Sequence, residues 1–386
     1  PWKTNIFDEI FSLLPNNTLS RADLASCGDV LNVHYGDVLI KYGSILDVES
    51  DEIPYIAAGK ESKKQCYLSD GDVIIADTAE DETVGKCTEI TNTKNVKIEA
   101  GLHTIPCHPR IAYAPMFLGY YMNSPYYHKQ LIPLMQGVKV LSVSKSNIGN
   151  TLISAPASYP EQEKIVDLLH LLDCRMRKQQ EVIDNLKKYK RGLLSAVFSQ
   201  NVSMFSTADF YAFSELAVRR SEKYDPKCNA HAVCIELEHI EQETGRIIGS
   251  TCADYQNSIK TVCKPGDVMF GKLRPYLRKY AFVQKECVCS SEIWSLIPTD
   301  IVIPKYLFYL IQSEAFMKAA NVSSGTKMPR AEWSTIAKSG YPIPSKDDQQ
   351  ATVDILETTD RIIVSHVASY DRLIEYKKGL LQRLFI

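Results

Sequence analysis

The chain has 386 residues, more than the roughly 100–200 residues of a single domain, so at least two domains are predicted. Hydrophobic residues make up 45% and charged residues 23%, a globular rather than disordered or fibrous composition. The net charge of −2 argues against nucleic-acid binding through overall charge, so any such site has to be local. No apolar run approaches the ~18 residues of a membrane span, and no export signal is recognisable. We therefore expect a cytoplasmic protein that does not associate with membranes.

The first 158 residues are predicted to form a mixed α/β domain. A Gly-Asp turn leads into an apolar run in "DGDVIIADTAEDETVGK" (residues 70–86), and "APMFLGYYMNSPYYHK" (residues 114–129) has a helical pattern. This segment carries 13 basic and 18 acidic side chains, so its charge does not favour a polyanion.

Residues 159–200 are predicted to form a long helix. Apolar residues recur at spacings of three and four, as in a heptad seam, at Leu169, Leu172, Met176, Ile183, Leu186, Leu193 and Val197. Gln179 and Lys190 fill the remaining seam positions, and polar residues there resemble devices that fix the register of paired helices. Gly192 lies within the pattern, where glycine lowers helix stability by about 1 kcal/mol relative to Ala. Because of this cost, we predict that another backbone approaches closely there or that the helix breaks locally.

The second half of the chain repeats the first. "YKRGLL" at residue 189 returns as "YKKGLL" at residue 376, and the two tails align without a gap for 37 residues at a shift of 187. The second seam contains Leu356, Thr359, Ile363, His366, Tyr370, Leu373, Lys377, Leu380 and Leu384, and Gly379 repeats Gly192. Upstream, "PGDVMFGKLRPYLRK" (residues 265–279), "IPKYLFYLIQSEAFMK" (residues 303–318) and "SGTKM" (residues 324–328) match segments of the first half. We therefore predict a pseudo-twofold chain with domains at 1–158 and 201–345 and helices at 159–200 and 346–386.

The motifs of common enzymes are missing. The sequence contains no phosphate-binding G-x4-G-K-[ST] loop, no G-x-S-x-G elbow, no H-E-x-x-H and no amino-methyltransferase motif. Eleven cysteines show no C-x2-C pair. His103, Cys107 and His108 form the tightest metal-capable cluster, but Pro106 and Pro109 flank it and predict a structural loop. We therefore predict a protein that is not an enzyme, has no catalytic residue and binds no metal.

Taken together, these repeats resemble the specificity (S) subunit of Type I DNA restriction-modification enzymes. The features that carry the resemblance are the two tails, the "GDV" turns, "KLRPYLRK", the Pro-x-aromatic-Leu-x-Tyr helices and the "SGTK" loop, which together cover essentially the whole chain. The resemblance implies two mixed α/β target recognition domains and two long antiparallel helices that act as a coiled-coil spacer.

The same resemblance implies the function and the partners. Each recognition domain would bind one half of a bipartite double-stranded DNA target, and the helices would dock two methyltransferase (modification) subunits. Restriction/translocase subunits would complete the complex. S-adenosylmethionine, ATP and Mg would bind to these partners and not to this chain.

The sequence suggests where DNA would bind. The strongest candidates are basic and aromatic residues of "FGKLRPYLRKY", because Arg and Lys contact phosphates and Arg pairs with guanine. Weaker candidates lie in "DVLIKYGS", after the acidic loop "DTAEDE" and in two matched G-x-K loops. The full set is Lys272, Arg274, Tyr276, Arg278, Lys279, Lys41, Tyr42, Lys86, Lys139 and Lys327.

The helices supply a second set of candidates, for the spacer and its partner interface: Leu169, Met176, Ile183, Leu186, Tyr189, Leu193, Leu356, Ile363, Tyr370, Leu373, Tyr376 and Leu380. Three alternatives remain open at this stage. The chain could be a methyltransferase or nuclease with a dimerisation arm, a scaffold without a nucleic-acid role, or a DNA-recognition subunit serving a fused restriction-methylation enzyme of another type.

Overall fold

A computed structural model describes residues 1–60, 65–199, 208–227, 231–253, 257–322 and 328–385. The chain divides into two compact units. The first unit comprises Pro1–Gln179 and Ser369–Ile386, and the second comprises Gln180–Ala368. Each unit contains one α/β portion together with parts of two long helices, so the fold is mixed α/β, as the sequence predicts.

The first α/β portion precedes a long helix. In chain order the described elements are β1 (Trp2–Ile6), α1 (Phe7–Ile10), β2 (Phe11–Leu13), β3 (Leu24–Ala25), β4 (Leu31–Val33), α2 (Tyr35–Ile40), β5 (Ile45–Asp47), β6 (Tyr55–Ile56), β7 (Val73–Ala76), β8 (Thr78–Ala79), β9 (Cys87–Thr91), β10 (Ile98–Ala100), β11 (Thr104–Pro109), α3 (Phe117–Met122), α4 (Pro125–Leu131), β12 (Leu141–Ser142), α5 (Lys145–Gly149), β13 (Leu152–Pro156) and the long helix α6 (Tyr159–Val197). The main sheets have the orders β2-β11-β7-β9-β5 and β10-β4-β6-β3, and β1 pairs with β13.

The second α/β portion has a related order and precedes the second long helix. Its described elements are β14 (Asp209–Ala212), α7 (Phe213–Leu216), β15 (Ala217–Arg219), β16 (Lys223–Tyr224), β17 (Val233–Ile235), β18 (Thr251–Cys252), β19 (Lys260–Cys263), β20 (Val268–Gly271), β21 (Tyr280–Phe282), β22 (Cys287–Cys289), β23 (Ile293–Pro298), α8 (Pro304–Leu310), α9 (Glu314–Ala320), α10 (Trp333–Ile336), β24 (Gly340–Ile343) and α11 (Lys346–Leu384). Its sheets have the orders β15-β23-β20-β21 and β16-β19-β22-β17-β18, and β14 pairs with β24.

A Gly-Asp turn precedes the matching strands β7 and β20. Gly71 and Gly266 have φ angles of 87° and 94°, in the left-handed region that favours glycine. Asp72 and Asp267 follow, are buried, and each accepts a hydrogen bond from the backbone N–H three residues upstream. The apolar run after each Gly-Asp turn is therefore a buried strand.

A long helix follows each α/β portion. Both α6 and α11 contain 39 residues. The prediction about their glycines is wrong, because both helices run unbroken through Gly192 and Gly379. Among the described residues, no atom lies within 4 Å of the position that a Cβ would take at either glycine.

The segment with the metal-capable cluster is also different from its prediction. It was expected to be a loop, but residues 104–109 form β11, which pairs with β2 and β7. Pro106 lies within this strand, and its carbonyl accepts a hydrogen bond from Leu14 N at 2.9 Å. Cys107 is buried, and His108 Nδ1 lies 2.5 Å from Asp72 Oδ1. No group of three or more metal-binding side chains suited to an ion occurs among the residues that the structure describes.

Candidate nucleic-acid interface

An exposed basic loop follows β20 in the second unit. Lys272 is half-buried, Arg274 and Tyr276 are exposed, and none of these side chains has a partner within the described part of the chain. Backbone hydrogen bonds hold the loop, from Lys272 N to Glu292 O at 2.9 Å and from Arg274 N to Pro329 O at 2.8 Å. The loop therefore has a fixed backbone and side chains that are available to a ligand.

The next two basic residues already have partners. Arg278 Nη2 donates to Glu314 Oε1 at 2.6 Å, and Lys279 Nζ donates to Leu237 O at 2.6 Å. Both side chains tie the loop to neighbouring segments of the second unit. Lys272, Arg274 and Tyr276 are consequently better placed for DNA than these two.

The candidates of the first unit are mostly engaged within the chain. Lys41 Nζ and the Tyr42 hydroxyl both donate to Glu52 O, at 2.6 and 3.3 Å, and Tyr42 is buried. Lys86 Nζ donates to Leu39 O at 2.6 Å, and burial lowers the pKa of Lys86. These side chains would have to break existing hydrogen bonds before they could contact a phosphate.

The matched G-x-K loops differ in what can be described. Lys139 is exposed in a loop closed by two backbone hydrogen bonds between Gln136 and Ser142, at 2.8 and 2.9 Å. Lys327 lies outside the described residues. The DNA-binding roles of all ten candidates remain predictions.

One cluster in the second unit was missed by the sequence analysis. Arg219 is exposed at the end of the edge strand β15, and its Cζ lies 4.9 Å from the Trp333 ring centroid and 5.8 Å from that of Trp294. The two indoles meet edge to face with centroids 5.6 Å apart. No single stretch of sequence reveals this cluster, because its members come from three separate segments.

Both helix segments of the first unit meet at a charged pair. Lys377 Nζ lies 2.5 Å from Asp173 Oδ1, and Tyr120 donates to Asp173 Oδ2 at 2.9 Å. The Lys377 ammonium also lies 5.5 Å from the Tyr120 ring centroid. Burial and the neighbouring Asp173 carboxylate raise the pKa of Tyr120, so the phenol remains a hydrogen-bond donor.

The second unit repeats this arrangement with the residues of the shifted repeat. Lys190 Nζ lies 2.7 Å from Asp360 Oδ1, and Tyr309 donates to Asp360 Oδ2 at 3.0 Å. The Lys190 ammonium lies 5.4 Å from the Tyr309 ring centroid. The lysines that the sequence assigned to polar seam positions therefore form ion pairs between the two helices.

The predicted helix residues divide by exposure. Leu169, Ile183 and Leu356 are buried, whereas Tyr189 and Tyr376 are each 57% exposed. The other seven are half-buried: Met176, Leu186, Leu193, Ile363, Tyr370, Leu373 and Leu380. The exposed tyrosines occupy equivalent positions of the repeat and are therefore the members of the set most accessible to a partner.

Known proteins share both sequence and fold with this chain. A family model described as the Type I restriction modification DNA specificity domain matches residues 222–373. The specificity subunit of the Type I restriction enzyme HindI from Haemophilus influenzae is 28% identical over 145 residues, which cover 36% of this chain and 31% of that protein. The MjaVIII specificity subunit from Methanocaldococcus jannaschii is 22% identical over 277 residues, 64% of each protein. The matches thus span about a third to just under two thirds of these relatives.

Two solved structures match the whole chain. The S subunit of a Type I restriction-modification system from M. genitalium has a TM-score of 0.53 and 13% identity, covering 100% of this chain and 96% of its own. A chain solved in work on complex assembly and conformational transition of the type I R-M system has a TM-score of 0.62 and 15% identity, covering 100% and 97%. The fold therefore defines a protein with two α/β portions and two paired long helices.

Residues 222–373 thus match the Type I restriction modification DNA specificity domain, and the whole chain shares the fold of a solved Type I S subunit. The resemblance found in the sequence is thereby confirmed. None of the described helices is both long enough and apolar enough to cross a bilayer.

Proposed function

We propose that this chain is the non-catalytic DNA-recognition subunit of a Type I restriction-modification complex. Each unit recognises one half of a bipartite double-stranded DNA target, and the helices set the distance between the half-sites. Two methyltransferase subunits dock on the helices, and restriction/translocase subunits join the full complex. S-adenosylmethionine, ATP and Mg bind to those partners, and the complex acts in the cytoplasm.

The observation that carries this proposal is one repeated framework with different surface residues. The lysine–aspartate–tyrosine arrangement is the same in both units. By strand pairing, however, the exposed Leu13 of the first unit occupies the place of the exposed Arg219 in the second. Two units that share one framework but differ in their surface residues suit the recognition of two different half-sites.

Charge supports DNA as the ligand of the second unit. Its α/β portion, residues 201–345, carries 17 basic and 15 acidic residues, and Lys272 and Arg274 have no side-chain partner among the described residues of a loop with a fixed backbone. Phosphate contacts from such side chains supply much of the affinity for DNA, even when the whole chain is not basic.

The helices support docking of two equal partners. Tyr189 and Tyr376 are equally exposed at equivalent positions, and the equivalent Leu168 and Ile355 are 40% and 56% exposed. Apolar residues repeated on a helix surface mark protein interaction sites when they form patches. Two like docking surfaces would suit two copies of one subunit.

A methylation profile tests the proposal. The chain is produced in a host with its cognate methyltransferase subunit, and modified positions are mapped across the genomic DNA. We expect methylation at one bipartite sequence with an unrecognised gap, and none when the chain is omitted. Purified chain supplied with S-adenosylmethionine should transfer no methyl group. Methyl transfer by the chain alone, or modification without sequence preference, would contradict the proposal.

A further inference from the structure

Two adjacent arginines at the end of β15 have different environments. Arg220 forms a bidentate ion pair with the buried carboxylate of Asp267, with both hydrogen bonds at 2.7 Å, so its role is structural. Arg219 is exposed and has no carboxylate partner within the described part of the chain. The guanidinium of Arg219 is positioned by the indoles of Trp294 and Trp333 alone, so its N–H donors are available to a ligand.

The indoles reduce the freedom of the Arg219 side chain without using its hydrogen bonds. A cation over an aromatic face is attracted by about 0.5–2 kcal/mol, and the planar guanidinium stacks well on indole. A side chain already held in one orientation loses less conformational entropy on binding. Arg219 is therefore prepared to donate hydrogen bonds to a ligand in a defined direction.

The surface beside Arg219 continues into the basic loop. Phe270 pairs with Trp294 across the sheet, and the half-buried Lys272 follows directly after β20. Arg330 forms a bidentate ion pair with Glu292 at 3.0 and 3.2 Å.

Acidic residues also occur on this surface. Glu292 is neutralised by Arg330, and Glu332 is exposed directly before α10. Arg219, Lys272 and Arg274 have no such acidic partner among the described residues, so the surface remains favourable to a polyanion such as DNA.

The fold does not require this cluster. The first unit builds the same strand arrangement with Leu13 in the place of Arg219 and Ile105 in the place of Trp294. Helix α5 there begins at Lys145, where α10 begins at Trp333. The arginine and the two tryptophans are not shared by the first unit, which indicates a role particular to the second unit.

We infer that Arg219 recognises a guanine in the half-site bound by the second unit, and that Trp294 and Trp333 are its positioning residues. The inference rests on the proposed function. Arginine donates two parallel hydrogen bonds to guanine O6 and N7 in the major groove, a pattern that no other base offers. Lysine retains the charge and can also donate to O6 and N7, but it lacks the planar fork that stacks on the indoles, so it should keep only part of the preference.

The test is the methylation profile of the assembled enzyme carrying Arg219→Ala or Arg219→Lys. Arg219→Ala should lose the preference for guanine at one position of one half-site, by about 10- to 100-fold, and Arg219→Lys should lose part of it at the same position. The other half-site, bound by the first unit, should be unchanged and serves as an internal control. Lys285→Ala, at an exposed turn of the second unit, should leave the whole profile unchanged.

The positioning role of Trp333 is tested separately, with variants of this residue. Trp333→Ala should relax the same position as Arg219→Ala, and Trp333→Phe should restore most of the preference because an aromatic face remains. Thermal unfolding of Arg219→Lys should match that of the unaltered chain, which separates lost recognition from lost folding. If Trp333→Ala altered stability alone and kept the guanine preference, the positioning role would be overturned.

Two results would overturn the inference while leaving the proposed function intact. The first is an unaltered methylation profile in both Arg219 variants. The second is a uniform loss of DNA affinity across sequences, with the salt slope lower by about 1, because that pattern marks a phosphate contact. A failure of the proposed function looks different, because the unaltered enzyme would then methylate no defined sequence.

Discussion

Lys377 Nζ lies 2.5 Å from Asp173 Oδ1, although 204 residues separate them along the chain. Both side chains are mostly shielded, with exposures of 19% and 24%. Since charged seam positions specify how helices align, this pair fixes the register of α6 and α11 within the first unit. Its counterpart, Lys190 with Asp360, does the same within the second unit.

Breaking the Lys377–Asp173 pair should destabilise the first unit. We expect Lys377→Ala to lower the free energy of unfolding by about 1–3 kcal/mol, because Asp173 would stay partly buried without its cation. Lys378→Ala, one residue further and exposed, is the matched control and should change stability by less than about 0.5 kcal/mol. Urea denaturation measures both, and equal effects of the two variants would show that the pair does not stabilise the helices.

Replacing the helix glycines should stabilise the chain. Gly192→Ala and Gly379→Ala should each raise the free energy of unfolding by about 0.5–1 kcal/mol, since alanine restricts the unfolded chain and meets no described atom. Thermal unfolding of single and double variants should show additive gains. If the variants were stable but failed to bind methyltransferase subunits, a partner backbone would have to approach these glycines.

Stability of the first unit should depend on the ionisation of Glu89. This carboxyl accepts hydrogen bonds from Met116 N at 2.6 Å and Gly119 N at 2.8 Å, and burial raises its pKa to about 7 from the ordinary 4.5. A raised carboxyl pKa means that folding favours the protonated form. The stability that Glu89 contributes to folding is therefore fully present below about pH 4.5 and is lost as the pH rises through about 7.

Glu89→Gln should remove this pH dependence. Between pH 5 and 8 the unaltered chain should lose up to about 3 kcal/mol that the variant retains. Urea denaturation at the two pH values measures the difference, with the exposed Glu49→Gln as the control. Parallel stability–pH curves for the unaltered chain and Glu89→Gln would rule out this role of Glu89.

Exposed tyrosines should contribute to partner binding rather than to folding. Tyr189→Ala and Tyr376→Ala should reduce co-purification with the methyltransferase subunit and leave the melting temperature nearly unchanged. Leu169→Ala, in the buried seam, should instead cost about 2–5 kcal/mol of stability. Undiminished co-purification of the tyrosine double variant would place the docking surface elsewhere.

Helix length should set the distance between the two recognised half-sites. Four residues inserted after Gln180 and four after Val367 lengthen both helices by about one turn, or ~6 Å. Methylation should move to a target whose gap is longer by one or two base pairs, at ~3.4 Å per base pair. An assembled, active variant that retains the original gap would show that the helices do not determine the spacing.

The sequence was most informative where local periodicity decides structure. Heptad spacing located α6 and α11, and the polar seam positions pointed to Lys190 and Lys377. Their partners were not deducible, because only the tertiary fold brings Asp360 and Asp173 to them. Composition alone also could not separate Arg274, whose side chain has no partner in the described part of the chain, from Arg278, whose partner Glu314 is 36 residues away.

The sequence analysis missed the Arg219 cluster for the same reason, because only the tertiary fold brings its members together. Arg219, Trp294 and Trp333 belong to β15, β23 and α10, which are adjacent in space and distant in sequence. A cation–π cluster has no spacing rule that a single sequence can display. The prediction of a loop around Cys107 was wrong for a related reason. Pairing of β11 with β2 and β7 outweighed the local preference of two prolines for a loop.

The way in which the first unit is completed has a consequence for biosynthesis. Phe385 packs edge to face on Phe117 and Tyr121, with ring centroids 5.9 and 5.5 Å away, and also on Trp2 at 6.5 Å. This apolar core is therefore complete only when the ribosome has added Phe385, long after the α/β portion of the first unit has been synthesised. At roughly 5–20 residues per second, the delay is on the order of 10–40 seconds. During that interval the aromatic surface of α3 is uncovered, so the nascent chain should recruit chaperones until residue 385 arrives.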